Sequence, residues 1–198
     1  MPSDGPDPLR DRTRFHVRLR PPTAPAPPEE LDPFDEGPYD YPTLALIGCA
    51  DLAATDAAAE AGGFGAPWYF DVPYDLSAFL EDLDRLLAAF HDRSRHVLDL
   101  YPQGLERTLT FTFPAPGLVA VHCTSRTDWV PSPTTEHHPY DQLHSQLATL
   151  ARTFATALET AGSRAADRPP FPAWRAGQFA PAPAHLDDPT TTPGGPAA

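Results

Sequence analysis

The sequence predicts an α+β domain, in which a mainly antiparallel sheet of about five to six strands carries two amphipathic helices on one face, with disordered Pro-rich termini. Three observations lead to this prediction. Two segments have the apolar spacing of an α-helix, several others alternate like β-strands, and the 27 prolines of the 198-residue chain are unevenly distributed. Runs of strands interrupted by two helices, with one tight hairpin, favour a mainly antiparallel sheet.

The most regular stretch is a helix predicted over residues 75–91. Its large apolar side chains recur three or four residues apart, which places them in one stripe along the helix. Asp75 follows Pro73 and Tyr74 and is predicted to be the N-cap, accepting hydrogen bonds from the free amides of the first turn. The stripe consists of Leu76, Phe79, Leu80, Leu83, Leu86, Leu87 and Phe90.

A second amphipathic helix is predicted over residues 140–161. Its apolar positions are again three or four residues apart. Pro139 suits the start of a helix and Gly162 suits the residue after its end. The apolar positions are Leu143, Leu147, Leu150, Phe154 and Leu158.

Alternating apolar and polar residues, or short apolar runs, predict the strands. Residues 13–20 alternate Phe15, Val17 and Leu19 with a row of basic residues. The clearest hairpin joins 107–113 to 118–130 through the turn Pro-Ala-Pro-Gly. The other predicted strands are 43–50, 67–72 and 95–100. Residues 51–65 and 131–139 are predicted to be loops.

The distribution of proline predicts the domain boundaries. Eleven prolines fall in residues 1–42, eight in 43–162 and eight in 163–198. We therefore expect a disordered N-terminus over 1–12, a single α+β domain over 13–162 with a Pro-rich loop at 21–42, and a disordered Pro/Ala-rich tail over 163–198.

The charge of the chain bears on its partners. The formal net charge is −13, and residues 43–162 contain 15 acidic residues against six arginines. Nucleic-acid binders usually have a basic face, so the composition argues against a nucleic-acid partner. The acidity either attracts a basic protein partner or only keeps the protein soluble. The chain has no lysine, which we attribute to a high-GC bacterial genome.

Targeting signals are not found in the sequence. The N-terminus lacks an apolar core of the signal-peptide type, and no window approaches 18 apolar residues. We expect a cytoplasmic protein with no membrane partner. In that compartment Cys49 and Cys123 are expected to be free thiols, small and buried.

No residue pattern predicts a catalytic, cofactor or metal site. His122, Cys123, His137 and His138 include zinc-ligand types, but neighbouring strand residues point to opposite faces, so His122 and Cys123 cannot converge. We expect Cys123 in the core and the two later histidines on an exposed loop. The pair Asp82 and Asp84 would diverge on a helix, and the Gly-Gly-Phe-Gly run at 62–65 lacks the lysine of a phosphate loop.

Aromatic residues supply the candidates for partner binding. Residues 67–75 concentrate Trp68, Tyr69, Phe70 and Tyr74, which suit either an interface or a strand packed under a helix; we favour the core. Trp129 is the preferred anchor, with Asp128 and Glu136 beside it where the hairpin's long strand is predicted to meet the 131–139 loop. The segment 168–174 is either a docking peptide or a linker, and we favour the linker.

The order of these elements resembles small bacterial immunity proteins of wall-associated polymorphic toxin systems and related uncharacterised families. The resemblance covers about residues 43–160. It is carried by the Trp68–Tyr69 strand, the Asp-Leu-x-x-Phe-Leu-x-x-Leu-x-x-Leu-Leu pattern at 75–87, three strands and a tyrosine-led last helix. The motif Asp-Gln-aromatic that opens this helix in those relatives is only rearranged here, as Tyr140, Asp141 and Gln142.

The resemblance implies a non-catalytic protein that binds and neutralises a toxin. Together with the charge, it predicts an acidic inhibitor of a basic partner protein. Two alternatives remain open. One is a small enzyme or ligand-binding protein that uses the open face of the sheet, with Thr108, Thr110, Thr112 and His122. The other is a regulatory or scaffold module that works through its flanks.

Overall fold

The fold is known from a computed structural model that describes residues 13–32 and 37–179. Its strands form two antiparallel sheets, one of three strands and one of four, accompanied by several α-helices. The predicted α+β class is confirmed, whereas the predicted single sheet with two helices is wrong. The disorder predicted for residues 1–12 and for 180–198 concerns residues outside this description.

The strands pair with their neighbours in sequence. The first sheet has the order β1 (His16–Arg20), β2 (Ala58–Gly63) and β3 (Ala66–Trp68). The second has the order β4 (His96–Leu100), β5 (Arg107–Ala115), β6 (Leu118–Ser125) and β7 (Thr135–Pro139). The α-helices are α1 (Tyr41–Ala53), α2 (Ser77–Leu80), α3 (Leu83–Asp92), α4 (Tyr140–Ala161) and α5 (Phe171–Arg175). A π-helical turn, Val72–Leu76, precedes α2, and a 3₁₀ turn, Arg164–Asp167, precedes α5.

The four-stranded sheet contains the predicted hairpin. Leu109 pairs with Cys123 and Phe111 with Val121, and all four side chains are buried. The hairpin's second strand ends at Ser125, not at residue 130. The predicted loop at 131–139 is wrong, because β7 lies there and pairs Glu136 with Val121. Its inward residues, Glu136 and His138, are polar, so apolar alternation does not reveal this strand.

The predicted strand at 43–50 is instead the middle of α1. Asp40 caps this helix by accepting a hydrogen bond from the Thr43 amide at 3.0 Å. A short apolar run fits a buried helix as well as a buried strand, so periodicity cannot distinguish the two. The helix packs closely on α4, since a Cβ at Gly48 would lie 2.7 Å from Leu158.

The predicted loop at 51–65 contains β2. Its sequence, Ala-Ala-Glu-Ala-Gly-Gly, has little strand propensity, but it lies between β1 and β3 and pairs with both. The strand predicted at 67–72 is β3, which ends earlier, at Trp68.

The predicted helix at 75–91 is divided into the π-helical turn, α2 and α3. Its N-cap is Asp71 rather than Asp75. The helix is interrupted at Glu81 and Asp82. There, Asp82 Oδ2 lies 2.6 Å from Nε2 of His96, at the start of β4. The apolar stripe is nevertheless buried as predicted, because all seven of its large side chains lie in the core.

The second predicted helix is confirmed as α4, which ends where Gly162 adopts the left-handed conformation. The expected disorder after it is wrong for residues 163–179. Phe171 and Trp174 are buried. The Phe171 ring lies 5.5 Å from that of Phe154 in α4, and the Trp174 ring lies 5.5 Å from that of Tyr41 in α1.

The two sheets share one core. The Phe15 ring, just before β1, contacts the Phe111 ring of β5 at 5.8 Å. Glu136 accepts hydrogen bonds from the amides of Phe15, at 2.7 Å, and Phe64. Gly65, in the β2–β3 turn, has φ +89°, and a Cβ there would overlap the Ser132 carbonyl oxygen. The turn of the first sheet therefore rests directly on the segment that leads into β7.

Candidate functional site: a tyrosine-rimmed acidic cleft

A cleft of about 480 Å³ lies beside the π-helical turn. It is formed by α1, the segment after β3, the π-helical turn, the first residue of α2 and the turn after β4. We call it the tyrosine cleft. Its lining residues are Leu46, Tyr69, Asp71, Tyr74, Asp75, Ser77, Tyr101, Pro102, Gln103, Gly104 and Leu105.

Three tyrosines form the rim of the cleft and expose most of their surface to solvent. The exposed fractions are 90% for Tyr69, 70% for Tyr74 and 56% for Tyr101, and Leu46 beside them is 50% exposed. Only two other large apolar side chains, Val97 and Val130, are exposed in the described part of the chain. Most of the exposed large apolar side chains are therefore gathered around one cleft.

The alternation of residues 68–70 explains why Tyr69 points outward. Trp68 and Phe70 are buried while Tyr69 lies between them, as expected for extended backbone, in which successive side chains face opposite sides. The prediction that this aromatic segment forms core is therefore confirmed for Trp68 and Phe70 and wrong for Tyr69 and Tyr74.

Two aspartates fix the backbone at the base of the cleft. Asp71 Oδ1 accepts hydrogen bonds from the amides of Tyr74 and Asp75, at 2.8 and 3.0 Å. Asp75 Oδ2 accepts in return from the Asp71 amide at 2.9 Å. This reciprocal exchange resembles a capping box and fixes the turn that carries Tyr74. Burial raises the pKa of Asp75, because the charged carboxylate is removed from water there.

Tyr101 is held at the rim by Glu81. Its hydroxyl lies 3.0 and 3.1 Å from the two carboxylate oxygens and donates to them. Burial and this hydrogen bond raise the pKa of Tyr101, so the phenol stays protonated as a donor. Glu81 itself lies at the break between α2 and α3, which brings an acidic side chain to the cleft's edge.

The predicted partner-binding residues do not form one exposed surface. Asp128 is exposed, but Trp129 is half-buried and packs on Arg107, whose guanidinium carbon lies 4.1 Å from the indole centre. Arg107 is itself buried and lies between Trp129 and Trp68. Glu136 is only 6% exposed and lies in the strand β7, so the prediction that it belongs to an exposed loop is wrong.

The histidines and cysteines are dispersed. His122 is exposed and Cys123 is buried on the opposite face of β6, as predicted. His138 is buried beside Glu136, with Nε2 3.0 Å from Oε2, contrary to the predicted exposed loop. Both cysteines are buried free thiols. In residues 13–32 and 37–179, no group of three or more His, Cys, Asp or Glu is arranged to hold a metal.

The outer face of the four-stranded sheet, the alternative ligand site, is polar. Thr108, Thr110 and Thr112 are half-buried on β5, and His122 Nδ1 lies 2.9 Å from Thr135 Oγ1. Its polar groups are largely paired with one another: Thr112 donates to the Ala120 carbonyl oxygen at 3.4 Å, and Arg126 joins Thr108 to Asp99. Its side chains are therefore less available to a ligand than the exposed tyrosines of the cleft.

No family model, curated protein or solved structure matches this chain. Among the helices that the structure describes, none has the length and apolar character needed to cross a membrane.

Proposed function

We propose that this protein is a non-catalytic, acidic binding protein of the immunity type, which inhibits a basic partner protein through the tyrosine cleft. The observation that supports this proposal most is the clustering of Tyr69, Tyr74, Tyr101 and Leu46 around one concavity. Contiguous exposed apolar side chains often mark protein-binding sites, and tyrosine is enriched among the residues that dominate binding energy.

Charge supports a basic partner. The chain carries a net charge of −13. The residues that line the cleft include two carboxylates and no Lys, Arg or His, and Glu81 adds a third acid at the edge. Long-range attraction of this sign accelerates the encounter with a basic protein, and salt weakens that acceleration.

The residues of the cleft suit binding better than catalysis. The side chains that line it include no Cys or His, and Ser77 donates its hydroxyl to the Tyr74 carbonyl oxygen at 3.0 Å. Asp71 and Asp75 are both engaged in fixing the backbone turn. These hydrogen bonds fix the backbone turn that carries Tyr74 before a partner binds, which lowers the entropic cost of association.

The proposal is tested with the protein encoded by the neighbouring gene as the ligand. If that protein is a toxin, co-expression of this chain should rescue growth, and the association rate should fall as salt is added. Tyr74→Ala should accelerate dissociation about tenfold or more, as expected for a residue that dominates binding energy. Val130→Ala is the matched control, because Val130 is also exposed but lies outside the cleft.

Two results would contradict the proposal. The first is a neighbouring protein that does not bind at any salt concentration. The second is a complex whose dissociation is unchanged by Tyr69→Ala and Tyr74→Ala in combination.

A further inference from the structure

We infer that the tyrosine cleft is built to receive one arginine side chain of the partner. This inference rests on the proposed function and specifies the chemistry of its central contact. The cleft's volume of about 480 Å³ lies in the lower half of the range for ligand sites, and it is large enough to admit a projecting arginine side chain.

The carboxylates of the cleft retain unused acceptor capacity. Within the described part of the chain, Asp71 Oδ2 and Asp75 Oδ1 accept no hydrogen bond, because the backbone amides are bound by the other oxygen of each residue. Asp75 is also buried, and burial raises its pKa although the Asp71 amide and the Arg107 charge act in the opposite direction. A further cation in the cleft would favour the ionised carboxylate.

The tyrosine rings are also unpartnered. In residues 13–32 and 37–179, Tyr69, Tyr74 and Tyr101 stack on no other ring and on no cation. Their exposed faces are therefore available for a flat cation. Guanidinium groups stack on aromatic faces and, unlike ammonium groups, present a planar fork of donors to carboxylates.

Guanidinium groups already pack on aromatic rings elsewhere in this protein. The Arg107 guanidinium carbon lies 4.4 and 4.1 Å from the ring centres of Trp68 and Trp129. Arg93 lies over Tyr140 at 4.9 Å. The tyrosine cleft offers exposed tyrosine rings together with carboxylates, and none of the residues that line it is a cation.

The test uses the full chain with tyrosine rings labelled for NMR and three small probes. These are arginine blocked at both ends, the blocked neutral analogue citrulline, which has the same shape, and blocked lysine. Blocked arginine should shift the ring signals of Tyr69, Tyr74 and Tyr101 with a dissociation constant of about 1 mM, within reach of a titration. Citrulline should bind at least tenfold more weakly, and lysine about threefold more weakly.

Variants identify the groups responsible. Asp75→Asn keeps the acceptor for the Asp71 amide but removes the charge, and it should weaken binding of blocked arginine about threefold. Asp92→Asn is the control for charge, because Asp92 is an exposed acid outside the cleft. It should leave arginine binding unchanged.

Two outcomes would overturn the inference. The first is the absence of tyrosine shifts at saturating blocked arginine. The second is binding of citrulline or lysine that is as tight as that of arginine. If either occurs while Tyr74→Ala still weakens the protein complex, the proposed function survives and only the arginine inference fails.

Discussion

Glu136 links the two sheets through a single buried carboxylate. It accepts hydrogen bonds from the amides of Phe15 and Phe64, and His138 lies beside it. Burial is the largest influence on its pKa and would raise it, but the hydrogen bonds from His138 and the two amides outweigh burial and lower it. The ionised form is thus favoured by folding.

The effect of acid on stability follows from that direction. Because the pKa of Glu136 is lower in the folded chain than in the unfolded chain, its contribution is complete above the unfolded pKa. It is lost as the pH falls through the folded pKa. We expect Glu136→Gln to lower the free energy of unfolding at neutral pH by about 2–4 kcal/mol, because the two amides lose a charged acceptor.

The measurement is urea unfolding over a series of pH values. Glu136→Gln should destabilise the protein less in acid than at neutral pH, since the native carboxylate becomes protonated in acid and is then no longer a charged acceptor. Glu159→Gln serves as control, because Glu159 is exposed and pairs with Arg175 only at 3.8 Å. An equal loss at every pH would show that Glu136 acts through its shape and not its charge.

At the scale of elements, α5 is a short helix that completes the core. Its five residues cannot form a stable helix alone, and Phe171 and Trp174 insert between α1 and α4. Arg175 adds a hydrogen bond to the Ala166 carbonyl oxygen at 2.8 Å. Packing, not propensity, therefore holds this segment.

Removal of the Phe171 side chain should destabilise the folded protein strongly. Phe171→Ala should lower the free energy of unfolding by about 3–5 kcal/mol, the usual cost of emptying a buried phenylalanine site. Chemical denaturation measures it, with Gln178→Ala as an exposed control in the same segment. A chain ended at Gly162 should be destabilised by at least as much. If that shorter chain unfolds at the full-length midpoint, the packing described for α5 does not contribute to stability.

The sequence predicts elements well where the side-chain period is clear. The α4 helix and the β5–β6 hairpin agree with their patterns of apolar and polar residues, because one face of each is buried and the other is exposed to solvent. The strand β7 and the helix α1 were not predicted correctly, for opposite physical reasons. In β7, polar residues face the core, because Glu136 accepts hydrogen bonds from buried amides there. In α1, apolar residues lie on several sides of the helix, so the helical spacing of apolar residues is not apparent in the sequence.

The site was less predictable than the fold. The aromatic composition of residues 67–75 does not distinguish the exposed Tyr69 and Tyr74 from the buried Trp68 and Phe70, because that distinction depends on the backbone conformation. Tyr101 and Leu46 come from distant parts of the chain, and no local pattern joins them to Asp75. Trp129 has the composition of an interface anchor, yet it packs on Arg107, a contact that sequence spacing does not reveal.

On the scale of the whole molecule, one core serves both sheets and the helices. Buried residues from β1, β5 and α4 belong to the same apolar cluster. Phe15 contacts Phe111 across the sheets, and Arg107 of β5 stacks on Trp68 of β3. Neither sheet has a separate interior that could remain folded alone.

We therefore expect one cooperative unfolding transition. Tryptophan fluorescence, which reports on Trp68, Trp129 and Trp174, should have the same denaturant midpoint as far-ultraviolet circular dichroism, which reports on helices and strands. Two distinct midpoints would contradict the shared core and indicate that one sheet unfolds first.

The β2–β3 turn also restricts how the sequence can vary among homologues. Gly65 has no room for a side chain, and the neighbouring Phe64 amide needs the carboxylate of Glu136. An inherited change at Gly65 or at Glu136 would disturb the contact between the sheets, so both positions should vary rarely. A distant homologue should then keep this glycine and this glutamate even where it differs at the tyrosines of the cleft.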